Sequence, residues 1–294
     1  MASTGRIPRI GINLPVDPRP EAIRSSLRRF ADCGYECVEV GLDTVPLIVR
    51  GEAKAEYVEA LRRILKELPL GYSAHIGSGV DLRDRQDPEL HERVAMASVE
   101  VSSSLGASPL VLHFEEQSKD LEIEGRFLDA HRRLASRARS LGVSLCVENI
   151  EVERVQPVVR FISEVASPAL SMAFDTGHAF LASRYFHFDF LESLRQALPL
   201  ITHVHLSDNT GDFEPLRITN RVVYDALPKG YRFAFGRGDV HLPPYWGDIP
   251  LDAVFSATRG FEGIYVCECY SEYFHPFLSQ VRERVSAAIA RARS

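Results

Sequence analysis

Eight short apolar runs, each followed by an amphipathic stretch, divide this sequence into repeating units, most of them roughly 30 residues apart, the scale of a strand with its crossover helix. The runs cover residues 10–14, 37–41, 72–76, 109–114, 144–150, 170–174, 201–206 and 264–268. Near-continuous apolar strands of this kind belong to a parallel sheet whose outer face is covered. The stretches 21–32, 53–67, 88–105, 125–141, 157–165, 188–198 and 276–291 show helical spacing, and a further helix begins near Leu251. Pro88 suits a first helical turn, while Gly106 and Gly142 suit helix stops. Eight such units in 294 residues predict an α/β fold, a single-domain (β/α)8 barrel over residues 1–294, in preference to an open sheet. Residues 208–247 break the rhythm between the seventh and eighth strands. A connection that long is expected to be an active-site lid or binding loop.

Composition narrows the function. Hydrophobic residues make up 45% and charged residues 25%, as in an ordinary globular protein, and the formal net charge is −6. An acidic chain has no global electrostatic footprint for nucleic acid or an anionic membrane. No stretch approaches 18 apolar residues and the start lacks an export-type apolar segment, so a cytoplasmic protein is expected. Cys146, Cys267 and Cys269 fall within apolar runs and read as reduced packing residues, not a disulfide framework.

The chemistry lies where the strands end. His75 closes the third run, His113 the fourth, Glu148 the fifth, His205 the seventh and Glu268 the eighth. Asp175 follows the sixth, with His178 expected in a loop just beyond, in a turn made by Gly177. Asp239 and His241 sit in the long loop. An apolar parallel strand has little reason to finish in a histidine or an acid unless that residue reaches the barrel mouth, where the active sites of such folds collect. His203 shares a face with His205, and its place two residues earlier suits a supporting or core role. Mixed imidazole and carboxylate donors suit Zn²⁺, Mn²⁺, Co²⁺ or Fe²⁺, which predicts a metalloenzyme.

The segments Val147-Glu148-Asn149, Asp175-Thr176-Gly177-His178, His203-Val204-His205-Leu206-Ser207-Asp208-Asn209, Asp239-Val240-His241-Leu242-Pro243-Pro244 and the final Glu268 resemble the xylose isomerase-like barrel superfamily, from the first strand to the last. That superfamily contains sugar and sugar-phosphate isomerases and epimerases and, as a relative, endonuclease IV. The resemblance to the isomerase branch implies one divalent metal held by Glu148, Asp175, His205 and Glu268. It also implies that Glu148 and Glu268 are the acid/base pair moving a proton beside the substrate carbonyl, with His178 touching the substrate. The resemblance to endonuclease IV implies up to three ions. Their ligands would be His75, His113 and a bridging Glu148; then Glu148, Asp175, His205 and Glu268; then His178, Asp239 and His241. The opening Ile10-Gly11-Ile12-Asn13-Leu14-Pro15 lacks that enzyme's His- and Gly-rich start, and Tyr245-Trp246-Gly247-Asp248 departs from the glycine- and glutamate-rich run that often follows the Asp-x-His motif.

The expectation is therefore a metal-dependent isomerase or epimerase of a small sugar or sugar phosphate, holding one to three ions. A multi-zinc phosphodiesterase acting on abasic DNA is the enzymatic alternative, and a non-catalytic, metal-stabilised barrel is the third. Asp208 and Arg237 are expected to bind substrate, and the lid cations Arg217, Arg221, Lys229, Arg232 and Arg237 to face an anionic group if the substrate carries one. Barrels of this kind often pair, so a homo-oligomer is compatible with the sequence.

Overall fold

The computed structural model describes residues 7–77 and 79–294. The eight runs form strands β1 (Arg9–Asn13), β2 (Cys37–Gly41), β3 (Gly71–His75), β4 (Leu110–His113), β5 (Leu145–Glu148), β6 (Leu170–Asp175), β7 (Ile201–His205) and β8 (Ile264–Cys267). They close in chain order into a parallel barrel, with β8 pairing back onto β1. Helices α1 (Pro20–Asp32), α2 (Ala55–Leu65), α3 (Pro88–Leu105), α4 (Leu121–Ser140) and α5 (Val155–Val165) cover the first five strands in turn. This is a TIM barrel in one domain.

Local chemistry fixes most boundaries. The Asp87 carboxylate accepts the Leu90 N–H and Pro88 starts α3, while Gly106, at φ 72°, ends it in the left-handed conformation that favours glycine. Helix α4 begins four residues before Gly125, because the Asp120 carboxylate accepts the Glu122 N–H and the glycine is carried inside the helix. Helix α2 begins at Ala55, since Glu52–Ala53 pairs with Ile48–Val49 in a small ribbon.

The largest departure from the expected pattern follows β6. Asp175 leads directly into α6 (Thr176–Phe186), and a second helix, α7 (Phe190–Ala197), follows before β7. His178 is thus in the first turn of a helix and not in a loop. The Asp175 Oδ1 accepts the His178 N–H at 2.5 Å and caps that helix. The 208–247 excursion is not structureless either. It contains α8 (Leu216–Thr219), α9 (Arg221–Ala226) and α10 (Lys229–Phe235). Helices α11 (Leu251–Ala257), α12 (Ser271–Phe274) and α13 (Leu278–Arg293) complete the chain, and no helix among the described residues is long and apolar enough to cross a membrane.

The apolar core lies between barrel and helices, around Phe30, Phe114, Phe127, Phe174, Phe255 and Tyr265. The lumen differs in character. Its apolar clusters are small, one of Val111, Cys146 and Ala173 and one of Cys37, Ile264 and Val266, and buried Glu39, Ser73 and His203 share the space.

Strand register sets which polar ends meet. His113 lies opposite Glu148, Gly41 opposite His75, and Asp175 opposite His205. Met172 pairs with Ile201 but Ala173 pairs with His203, so β7 carries one extra residue at a bulge. That insertion puts His203 and His205 in phase with Ala173 and Asp175, a use of bulges to re-aim side chains near functional sites.

Phe127 packs against Phe114, Phe161 and His131, with the Arg83 guanidinium 3.4 Å over its ring. Phe127→Ala is expected to destabilise the fold by about 3–5 kcal/mol, read from urea unfolding. A loss well under 1 kcal/mol would show that this packing contributes little.

Candidate metal centre

Four consecutive strand ends supply the centre of the cluster. Glu148 Oε1 lies 2.8 Å and Glu268 Oε2 3.1 Å from His205 Nδ1, with Asp175 Oδ2 at 4.0 Å. One donor atom from each of these four residues falls within 4.8 Å of the others. The second Glu148 oxygen, Oε2, faces His75 Nε2 at 3.0 Å and His113 Nε2 at 3.5 Å, so this carboxylate stands between two groups of imidazoles. A third group lies further out. Asp239 Oδ2 is 2.6 Å from His241 Nε2 and 3.4 Å from His178 Nε2.

Backbone contacts settle which ring nitrogen points inward. His75 Nδ1 sits 2.9 Å from the Ile76 carbonyl and His178 Nδ1 2.9 Å from the Asn149 carbonyl. A carbonyl only accepts, so each Nδ1 carries the hydrogen and each Nε2 is left to face the acids. Asn149 also ties β5 to β6, donating to the Asp175 carbonyl and accepting the Asp175 N–H, both at 3.0 Å.

The electrostatics are those of a dense, buried, mutually neutralising set. Burial opposes the charge on Glu148, but His205, His75 and His113 outweigh it and hold the carboxyl well below its ordinary range. Glu268 is likewise lowered by His205 and His241 against its burial. Asp175 goes the other way, raised by burial and by the negative charge of Glu268 and Glu148. Burial disfavours charge on His75 and His241 too, yet Glu148 raises His75 to about 9 and Asp239 raises His241 to about 10.

A sequence profile described as xylose isomerase-like TIM barrel matches residues 27–292. The chain belongs to that family. Among solved structures, a xylose isomerase-like TIM barrel protein from Mycobacterium smegmatis in complex with magnesium is similar at 17% identity. Its TM-score is 0.71, over 97% of this chain and 98% of that one. L-ribulose 3-epimerase is similar at 15% identity and a TM-score of 0.69, covering 97% and 96% of the two chains. The IOLI protein with a bound zinc atom is similar at 16% identity and a TM-score of 0.66, covering 97% and 98%. Among curated proteins no sequence match was found.

This xylose isomerase-like barrel therefore gathers nine of the expected residues, His75, His113, Glu148, Asp175, His178, His205, Asp239, His241 and Glu268, into one set of adjoining groups. Six of them, His75, His113, His178, Asp239, His241 and Glu268, border a cavity of about 540 Å³ that Arg217, Arg221, Tyr224 and Arg232 of the long excursion also line, while Glu148, Asp175 and His205 are buried. Two other expectations are corrected. Asp208 is fully buried and does not line the cavity; its carboxylate accepts the backbone N–H groups of Asn209, Tyr245, Gly247 and Ile249. Arg237 is exposed and does not line the cavity. Glu39 is the acid that the sequence reading missed. It sits inside β2 with Oε1 3.0 Å from His205 Nε2. The signal was an acid within the apolar run Cys37-Val38-Glu39-Val40-Gly41, the same oddity that marks Glu148.

The donor set fits divalent ions. Asp175 Oδ2, Asp239 Oδ1 and Glu268 Oε2 are buried without a hydrogen bond, each on a carboxylate that pairs with an imidazole, as expected where a cation completes the bonding. Protons on His75 and His241 partly stand in for such a cation. With folded values raised above 6.5, these rings add stability that is complete below pH 6.5 and is lost as pH rises through about 9 and about 10. The melting temperature of chelator-treated protein is therefore expected to fall between about pH 7 and pH 10, and saturation with Zn²⁺ to remove most of the slope. A flat or rising profile for the chelated protein would contradict this charge assignment.

Proposed function

We propose that the chain is a divalent-metal-dependent isomerase or epimerase acting on a small sugar or sugar phosphate. The observation that carries this reading is the meeting of Glu148, Asp175, His205 and Glu268 at the barrel mouth, beside a cavity of about 540 Å³. The similar structures include L-ribulose 3-epimerase and a D-tagatose 3-epimerase-like protein, which supports the reaction class.

In this scheme Glu148, Asp175, His205 and Glu268 hold the ion, which supplies Lewis acidity toward neighbouring substrate oxygens. Glu268 lines the cavity and is the base that takes the proton from the carbon beside the carbonyl. Glu148 is the partner group: it takes a proton from solvent and passes it to the same carbon in epimerisation or to its neighbour in isomerisation, while Glu268 releases the abstracted proton to solvent. His178 orients the substrate from the first turn of α6, its ring held by the Asn149 carbonyl. Arg217, whose Nε pairs with Glu151, and Arg232 line the same cavity and bind substrate hydroxyl or phosphate oxygens.

The test is solvent deuterium entering a sugar or sugar phosphate during incubation with metal-loaded protein. Glu268→Gln is expected to slow that exchange by about 10²–10⁴-fold while the protein retains part of its metal. Exchange at the wild-type rate in this variant would rule out Glu268 as the base.

A second reading rests on Glu148, whose two oxygens serve His205 on one side and His75 and His113 on the other, and on the separate His178, Asp239 and His241 group. A carboxylate placed between donor groups suits more than one ion, and a multi-ion site suits phosphodiester hydrolysis. Elemental analysis of protein prepared without chelator separates the two. One ion per chain is expected for the isomerase. Two or three zincs, with nicking of abasic DNA and no deuterium exchange, would put the hydrolase first. Metal that raises the melting temperature while both assays stay silent would favour the non-catalytic barrel.

A further inference from the structure

Beneath the mouth cluster lies a second polar layer that the proposed chemistry does not use. Glu39 projects into the lumen from β2 and is 2% exposed. Its Oε2 accepts from His203 Nε2 at 2.9 Å and from the Ser73 hydroxyl at 3.0 Å. Its Oε1 lies 3.0 Å from His205 Nε2, an ion-pair contact off hydrogen-bond alignment. The two nitrogens of His205 therefore serve different layers. Nδ1 faces Glu148, Glu268 and Asp175 at the mouth, and Nε2 faces Glu39 below.

We propose that Glu39 is a positioning residue for His205, a carboxylate behind the ring that keeps Nδ1 aimed into the metal centre. This rests on the metal-centre reading above. An imidazole ligates through the nitrogen that lacks hydrogen, so the other nitrogen needs an acceptor, and metal-bound histidines usually find it in a carboxylate or carbonyl. For His75 and His178 that acceptor is a backbone carbonyl. Among the described residues the ring of His205, the innermost of the three, reaches no carbonyl, and Glu39 takes that place. The same cluster read as an independent ion site demands that His205 give both nitrogens to metals. It also demands that His203 Nε2 give up its bond to Glu39 Oε2. A buried carboxylate is strongly unfavourable unless bonded, and His203 and Ser73 supply those bonds and fix its orientation.

The test compares wild type, Glu39→Gln and Glu39→Ala by competition for Zn²⁺ against a chromophoric chelator, alongside ion-free melting temperatures. Affinity for the tightest ion is expected to fall in the order wild type, Gln, Ala, by about 10–100-fold in all. The Gln variant, whose amide oxygen still accepts the ring hydrogen, should keep the ion-free melting temperature of wild type. Nitrogen-15 shifts of His205 in the zinc-loaded proteins should report hydrogen on Nε2 in wild type and Gln. Wild-type affinity in both variants overturns the proposal. So does a Gln variant whose loss of affinity comes with an equal loss of ion-free stability, since that marks a purely structural acid. Should Glu39→Ala not fold, the Gln comparison decides by the same criteria. If the wild-type protein itself takes up no Zn²⁺ or Mn²⁺, the metal-centre reading has failed, a result distinct from any ranking of variants.

Discussion

Charge neutralisation in a confined space governs this structure. The carboxylates of Glu39, Glu148, Asp175, Asp239 and Glu268 are buried or nearly so, and each leans on at least one imidazole. Removing one member leaves another charge uncompensated in a medium that solvates it poorly, which makes the set cooperative. The barrel serves this arrangement. Its register brings acids opposite histidines, the β6–β7 bulge turns two imidazoles inward, and the apolar core is displaced to the annulus between strands and helices.

Much of this was legible in the sequence, because parallel strands reveal themselves as apolar runs and a functional end stands out against them. The placements of Glu148, His113 and His75 needed no more than alternation and position. Other features were hidden for identifiable reasons. Gly177 reads as a turn, yet the Asp175 cap makes it the second residue of α6 and lifts His178 onto a helix. Asp208 reads as a mouth residue by its place after β7, yet its side chain turns back onto four backbone N–H groups. Glu39 lies in mid-strand, where an acid makes sense only once the opposite wall of the lumen is known to carry His203 and His205. Such pairings across a barrel are long-range and leave no local trace.

The xylose isomerase-like family supplies the frame, while the residues around the cavity decide how it is used. Tyr224 carries the Arg232 guanidinium over its ring and accepts from it through its carbonyl, and Arg217 is fixed by Glu151. The cavity therefore carries ordered cations as well as acids. Both signs of charge on one cavity wall are a condition for orienting a small polar molecule and not merely retaining it.

The long excursion after β7 is pinned at its base. Asp208 and Leu242 exchange backbone hydrogen bonds, the Asp208 carboxylate gathers the chain from Tyr245 to Ile249, and Gly238 donates to the Asp212 carbonyl. At Gly247 any side chain would meet the Asn209 carbonyl at 2.3 Å, so the stem is closed tightly. Asp239 and His241 belong to that closed stem, whereas α8, α9 and α10 lie in the span beyond it. The entropy of closing a loop grows slowly with its length. Residues 213–236 lie outside the closed stem, so a change of length or charge there alters the cavity wall while Asp239 and His241 at its base stay in register.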